Sequence, residues 1–253
     1  MGVIEILVQR VKKKRELSGI DDGIVQEKIT EYFEKNKLPL IEMNDSQLKV
    51  VVKDVRSALR ENVGRFQAST KNRYNLLEKN DIASLLKTHS STKERIDFYP
   101  KIEEILKKLK IKSILDLGCG INPIALAKHG MKYYASDINS DDLNLVKLFF
   151  KKMKIDGTTF VCDLNKIENC NIPEAELTLI FKVLDIIGKK DYEIAKNVLE
   201  NLKSKHLIVS FSTKTLSGKP MNSPRRIWFE KLLDSLCYKF EIVNSSNEIF
   251  YII

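Results

Sequence analysis

The 253-residue chain carries 43 Lys and Arg against 34 Asp and Glu, for a net charge of +9 and a pI near 9.2, and 43% of its residues are hydrophobic. That is enough apolar material for a real core, with room for one α/β domain and a smaller partner, while the basic balance points to a polyanionic partner over a small metabolite. No apolar run approaches the ~18 residues that span a bilayer, and Met1-Gly-Val-Ile-Glu5 lacks the layout of a signal peptide, so the expectation is a cytoplasmic protein with no membrane partner.

In chain order, helical periodicity covers Val3 to Glu16, Asp21 to Asn36 behind an acidic cap, and Asn44 to Arg60. A polar stretch follows around Gln67 to Asn72, and then a helix from about Thr92 to Lys110. Beyond residue 110 strands and helices alternate. The strands are predicted near 112–116, 132–136, 158–162, 176–181 and 206–211, and the helices near 122–129, 140–153 and 189–203. A helix from Pro224 to Leu236 and two final strands at 237–243 and 247–252 complete the chain. This pattern predicts an α/β fold, a Rossmann-like seven-stranded methyltransferase-type sheet over 111–253 with a helical N-terminal domain over 1–110.

The first strand and its turn, Ser113-Ile-Leu-Asp-Leu-Gly-Cys-Gly-Ile-Asn-Pro-Ile-Ala-Leu126, mark a nucleotide-cofactor site. Gly118 and Gly120 let the backbone approach a ligand. Pro123 stands where the dinucleotide fingerprint has its third glycine, so a pyrophosphate is not the expected ligand. S-adenosylmethionine (SAM) has no phosphates, and Asp116 suits its ammonium group. Asp137 ends the second strand 21 residues later, where an acidic residue meets ribose hydroxyls, and Asp163 ends the third, where it can receive the adenine amino group. Cys119 and Ile138 are placed beside them on the cofactor.

Cys119, Cys162, Cys170 and Cys237 include no C-x-x-C pair and no His at ligand spacing, which predicts reduced thiols and no metal site. Lysine runs such as Lys107-Lys-Leu-Lys110 read as solvated helix faces. The cations Lys12 to Arg15, Lys53, Arg56, Arg60, Arg65, Lys71 and Arg73 read as a phosphate-contacting docking surface. Lys214-Thr-Leu-Ser-Gly-Lys-Pro-Met-Asn-Ser-Pro-Arg-Arg226 places further cations off any helix face.

Leu85-Leu-Lys-Thr-His-Ser-Ser-Thr-Lys-Glu-Arg95, the glycine turn above, and Ile208-Val-Ser-Phe-Ser-Thr-Lys-Thr-Leu-Ser-Gly-Lys219 followed by Trp228-Phe-Glu230 together resemble the aminoglycoside-resistance 16S rRNA (guanine-N7) methyltransferases. The resemblance implies a monomer that methylates N7 of a guanine in the 16S rRNA of the 30S subunit. It implies that Arg95 meets the SAM carboxylate, that Gly118 and Gly120 border the methionine part, that Asp137 binds the ribose, and that Asp163 and Leu164 hold the adenine. The loop Pro220-Met-Asn-Ser-Pro-Arg-Arg-Ile227 is shorter than in the family, where a target base would be clamped.

Chemistry agrees with a ring nitrogen as acceptor. After the fourth strand the chain reads Leu179-Ile-Phe-Lys-Val-Leu-Asp185, without the Asp/Asn-Pro-Pro-Tyr run that aligns an exocyclic amine, and it has no Pro-Cys pair to supply a nucleophile. N7 has a free lone pair and needs alignment, not a base. On that account Lys182 and Arg226 are the candidate catalytic residues, and His89, Lys214, Lys219, Arg225 and Trp228 the candidate substrate contacts. Four of the site residues have a plain structural alternative: an ion pair with Glu94 or Glu103 for Arg95, a domain junction for His89, a lysine reaching the rim for Lys182, helix packing for Trp228. Two other functions fit the pattern less well: a methyltransferase for another RNA or a small molecule, and a noncatalytic RNA-binding or ribosome-assembly factor.

Overall fold

The computed structural model describes residues 2–39, 43–62, 71–187, 192–215 and 218–253. Arg65, Gln67 to Thr70, the start of the helix predicted over 189–203, and Leu216 and Ser217 lie outside the described residues.

Three helices open the chain: α1 (Val3–Lys12), α2 (Asp22–Lys35) and α3 (Asp45–Asn62). Leu7 and Val11, then Val25, Ile29 and Phe33, then Val51, Val55 and Leu59 recur at helical spacing, and these stripes bury one another in a core of their own. Asp21 caps α2 by accepting from the Gly23 N–H at 2.9 Å.

Four more helices follow, α4 (Arg73–Glu78), α5 (Ile82–Leu86), α6 (Ser90–Arg95) and α7 (Tyr99–Lys108), with a 3₁₀ turn at Ile96–Phe98 between the last two. The single helix expected from Thr92 to Lys110 is therefore broken. Pro100 sits in the first turn of α7 and has no N–H to bond back across the preceding turn, so a new helix starts there. Leu85, Ile102 and Leu106 from these helices share a core with Ile114 and Tyr133 of the sheet.

The sheet comprises β1 (Ser113–Leu117), β2 (Lys132–Asp137), β3 (Asp156–Val161), β4 (Leu177–Phe181), β5 (His206–Ser212), β6 (Glu241–Asn244) and β7 (Glu248–Ile252), in the order β3-β2-β1-β4-β5-β7-β6. Neighbours are parallel from β3 to β5, and β7 runs antiparallel to both β5 and β6. β1 and β4 are near-continuous apolar runs because both faces are covered. From β1 the chain winds outward to β2 and β3, and from β4 it winds the other way. The order reverses between β1 and β4, and a crevice opens there beyond the carboxyl ends of the strands.

The remaining helices are α8 (Pro123–Leu126), α9 (Ser140–Met153), α10 (Leu184–Ile187), α11 (Tyr192–Glu200) and α12 (Ile227–Ser235). The expectation of four reduced thiols is corrected here: Cys162 and Cys170 form a disulfide with Cα atoms 5.7 Å apart, leaving Cys119 buried and Cys237 exposed as free thiols. Asp163 caps a 3₁₀ segment, Leu164–Asn169, that folds the chain back after β3 and brings residues eight apart together. No C-x-x-C spacing is needed for that.

Candidate cofactor cleft and its surroundings

The turn after β1 favours glycine at two positions. Gly118 and Gly120 have φ of +65° and +49°, and a Cβ on them would lie 2.5 Å from Val183 Cγ2 and 2.9 Å from His89 Nε2 respectively. The Gly120 N–H donates to Asp137 at 2.8 Å, and the Asn139 N–H donates to the other oxygen of the same carboxylate at 2.9 Å. Two backbone bonds thus aim Asp137 from the end of β2 into the crevice. Burial, with Asp142 close by, nevertheless pushes its carboxyl up to about 7.

Asp116 is fully buried on β1 and accepts from Tyr133 Oη and Asn122 Nδ2, each at 2.7 Å. Burial raises it to about 6 against those bonds. Asp163 accepts from the Asn165 N–H and Nδ2 at 3.0 and 2.7 Å, with Lys28 of α2 3.8 Å away. Arg95, at the end of α6, is 1% exposed and lies over the Phe181 ring at 4.5 Å. Its guanidinium donates to Glu248 at 2.9 and 3.2 Å and to Ser91 at 3.0 Å. The ion-pair partner is Glu248, across the sheet, and neither Glu94 nor Glu103. Burial, with the cations of Arg73, Arg95 and Lys182 around it, holds His89 down at about 3 and hence neutral.

These groups line one cleft. It gathers Arg95, Asp116, Gly118, Cys119, Gly120, Asp137, Ile138, Asp163 and Leu164, all nine sequence-predicted cofactor residues, together with His89. Ser91, Asn122, Asn139, Asp142, Phe181, Val183 and Ile186 also line it. Of these, Asn122 and Ser91 lay within motifs singled out in the sequence, the one as the Asn-Pro after the glycine turn and the other between His89 and Arg95. The set fits a zwitterionic sulfonium nucleoside: a buried guanidinium for a carboxylate, carboxylates for an ammonium, a ribose and an amine, and no lysine or phosphate cradle in the glycine turn.

Of the residues predicted on the substrate side, His89 lines the cleft and the others stand outside the lining. Lys182 follows β4 in a left-handed conformation, φ +61°, and pairs with Glu94 at 2.5 Å and Glu248 at 3.3 Å. Arg226 caps α12 and is tied to Asp185 of α10 at 2.7 Å, to the Pro224 and Ser212 carbonyls, and over the Phe211 ring. It thereby secures α10, whose Ile186 and Ile187 form the cleft rim. Arg225 pairs with Glu230, and Trp228 packs edge-on against Phe211 and Phe229. Lys214 and Lys219 flank a turn closed by the Thr215 N–H donating to the Lys219 carbonyl at 2.8 Å.

The cationic surface lies on the N-terminal helices, where Arg10, Lys13, Lys14, Lys49, Lys53, Arg56 and Arg60 line a groove between α1 and α3. Arg73 does not belong to it. The reading of Arg73 as a docking cation is corrected by its burial: it donates to Asp142 at 2.6 Å and to Thr88, locking α4 onto α9. Lys12 is likewise taken up by an ion pair with Asp22.

The family profile for ribosomal RNA methyltransferase (FmrO) matches residues 33–252. A 16S rRNA (guanine(1405)-N(7))-methyltransferase of Serratia marcescens is 28% identical over 186 residues, covering 70% of this chain and 71% of that protein. One from Frankia casuarinae is 25% identical over 184 residues, covering 68% and 63%. Among solved structures, the 16S rRNA methyltransferase RmtF in complex with S-adenosyl-L-homocysteine superposes with a TM-score of 0.76 at 22% identity, over 98% of this chain and 96% of that one. With the profile spanning most of its length, the chain belongs to the FmrO family of ribosomal RNA methyltransferases.

Proposed function

We propose that this protein transfers a methyl group from SAM to N7 of a guanine in 16S rRNA, acting as a cytoplasmic monomer on the 30S subunit. The observation that carries the reading is the cleft at the β1/β4 reversal, where Arg95 and the strand-end carboxylates converge. The family membership and the guanine-N7 relatives support the substrate. Bound there, SAM supplies an electrophilic methyl group on a sulfonium.

The chain's own residues do the rest by holding and orienting. Arg95 seats the carboxylate, Asp137 the ribose, and Asp163 with Leu164 the adenine. A ring nitrogen needs no proton removed before it attacks, which agrees with a site whose one histidine, His89, is buried and neutral. Lys182 and Arg226 act on the base side, Lys182 beside the cleft floor and Arg226 through the rim helix α10. Lys214, Lys219, Arg225 and Trp228 supply the nearby RNA surface.

Residues 1–110 divide their work. The α1–α3 bundle grips RNA phosphates with its groove, and α4–α7 close the cofactor cleft. The two functions are joined physically: the Asp21 N–H donates to the Ile138 carbonyl at 2.9 Å, Ser140 Oγ donates to Asp21 at 2.8 Å, and Lys166 pairs with Glu31 at 2.6 Å. RNA held on the groove is thus registered against the loops that carry Ile138 and Asp163.

The test is labelled methyl transfer from SAM to total RNA, free 30S and assembled ribosomes, followed by borohydride and aniline. N7 methylation puts a positive charge on the base and weakens the glycosidic bond, so treated RNA should break at one guanine of 16S rRNA. Lys182→Ala should lower kcat more than SAM affinity. A methyl found on a ribose oxygen, a carbon or an adenine would reject the acceptor assignment and leave the cofactor site standing.

A further inference from the structure

β7 reads Glu248-Ile-Phe-Tyr-Ile252, one charge at the head of an otherwise apolar strand, and that carboxylate is 1% exposed. A buried carboxylate is costly unless it is paired and hydrogen-bonded. Glu248 is both. Its Oε2 accepts from Arg95 Nη2 at 2.9 Å, Arg95 Nε at 3.2 Å and Ser210 Oγ at 2.7 Å, while Oε1 lies 3.3 Å from Lys182 Nζ. Lys182 also meets Glu94, the residue before Arg95. Glu94, Lys182, Glu248 and Arg95 therefore alternate in sign along one chain of ion pairs that ties the end of α6, the end of β4 and the start of β7 together.

The backbone holds the hub in place. The Glu248 N–H donates to Ser245 Oγ at 3.0 Å, and the Ser245 N–H donates to the Glu248 carbonyl at 2.8 Å. Lys182, in contrast, sits in the left-handed region that disfavours side chains, its N–H bonded to the Ser210 carbonyl at 2.9 Å. An apolar cluster would stabilise this junction as well as a charge network does. What an apolar cluster could not do is fix two cations relative to each other, one in the cleft wall and one between the cleft residues Phe181 and Val183.

We propose that Glu248 is a positioning residue for methyl transfer: it holds Arg95 on one oxygen and Lys182 on the other, registering the seat of the cofactor carboxylate to the base side of the cleft. This rests on the SAM reading above and on Arg95 as the carboxylate partner. It assigns a function to the last strand, which contributes no residue to the cleft itself among the described residues.

The experiment uses full-length Glu248→Gln, isosteric but uncharged, with S-adenosylhomocysteine affinity read by calorimetry and kcat at saturating SAM and RNA. Both should fall about tenfold in protein that retains its secondary structure, and Glu248→Asp should recover part of each loss. In an Arg95→Lys background the same change should alter affinity by less than about twofold, because Glu248 reaches the cofactor through Arg95. Folded Glu248→Gln that merely melts lower, with affinity and kcat unchanged, would overturn the proposal. If Glu248→Gln does not fold, Ser210→Ala removes only the hydroxyl on Oε2; a two- to threefold loss of affinity is expected and an unchanged affinity overturns the idea. Failure of the SAM reading shows separately, as wild-type protein that does not bind S-adenosylhomocysteine.

Discussion

Replacing Lys13, Lys14 and Lys53 together by Gln should weaken RNA binding by on the order of 10- to 100-fold at moderate salt while leaving cofactor affinity and melting temperature as they were. Of the seven cations in the α1/α3 groove, Arg10 and Lys49 share Asp45, Arg60 is paired with Glu16, and Arg56 donates to the Val11 carbonyl at 3.1 Å. Lys13, Lys14 and Lys53 are exposed and have no ion-pair partner among the described residues, so their charge is available to phosphates. Each phosphate contact contributes roughly 0.7–0.9 to the slope of log affinity against log salt, so the triple variant should lose about 2–3 from that slope. Filter binding across a salt series measures both. Wild-type slope and affinity in the variant would place RNA docking elsewhere.

Much of the cleft was legible because its parts are written as local patterns. A glycine turn after an apolar strand fixes a backbone shape, and carboxylates at the ends of three successive strands are carried to one edge by parallel topology. Asp116, Asp137 and Asp163 therefore meet whatever the details of packing. All seven strands were foreseen within a few residues for the same reason.

The parts that were missed depend on contacts distant in sequence. Glu248 finds Arg95 across 153 residues, and its only signal was being the single charge in an apolar strand. Arg73 reads as one more surface cation until Asp142 claims it. The helices α4, α5 and α6 have six, five and six residues, too short for an apolar stripe to repeat. Cys162 and Cys170 needed the 3₁₀ fold-back after Asp163 to become neighbours. Arg226 is held by Asp185, a partner 41 residues away that no local pattern announces.

Cofactor affinity should drop about tenfold between pH 8 and pH 6, and Asp137 should be the reason. Its carboxyl is raised to about 7 by burial and the nearby Asp142, so below that pH the unliganded protein holds it protonated. Ribose hydroxyls donate to a carboxylate and lose those partners when it is protonated, so binding must first expel the proton. The sign follows: affinity is full above pH 7 and is lost as pH falls through it, by up to tenfold per unit for one proton. Asp116, raised to about 6, joins only at the lower end of the range. Asp137→Asn should weaken binding by about 1–3 kcal/mol at pH 8, as for loss of a charge-assisted hydrogen bond, and should flatten the profile. The ligand's own amino group titrates equally in both proteins, so the difference between their calorimetric profiles isolates Asp137. A variant that keeps the wild-type pH dependence would take the ribose away from this carboxylate.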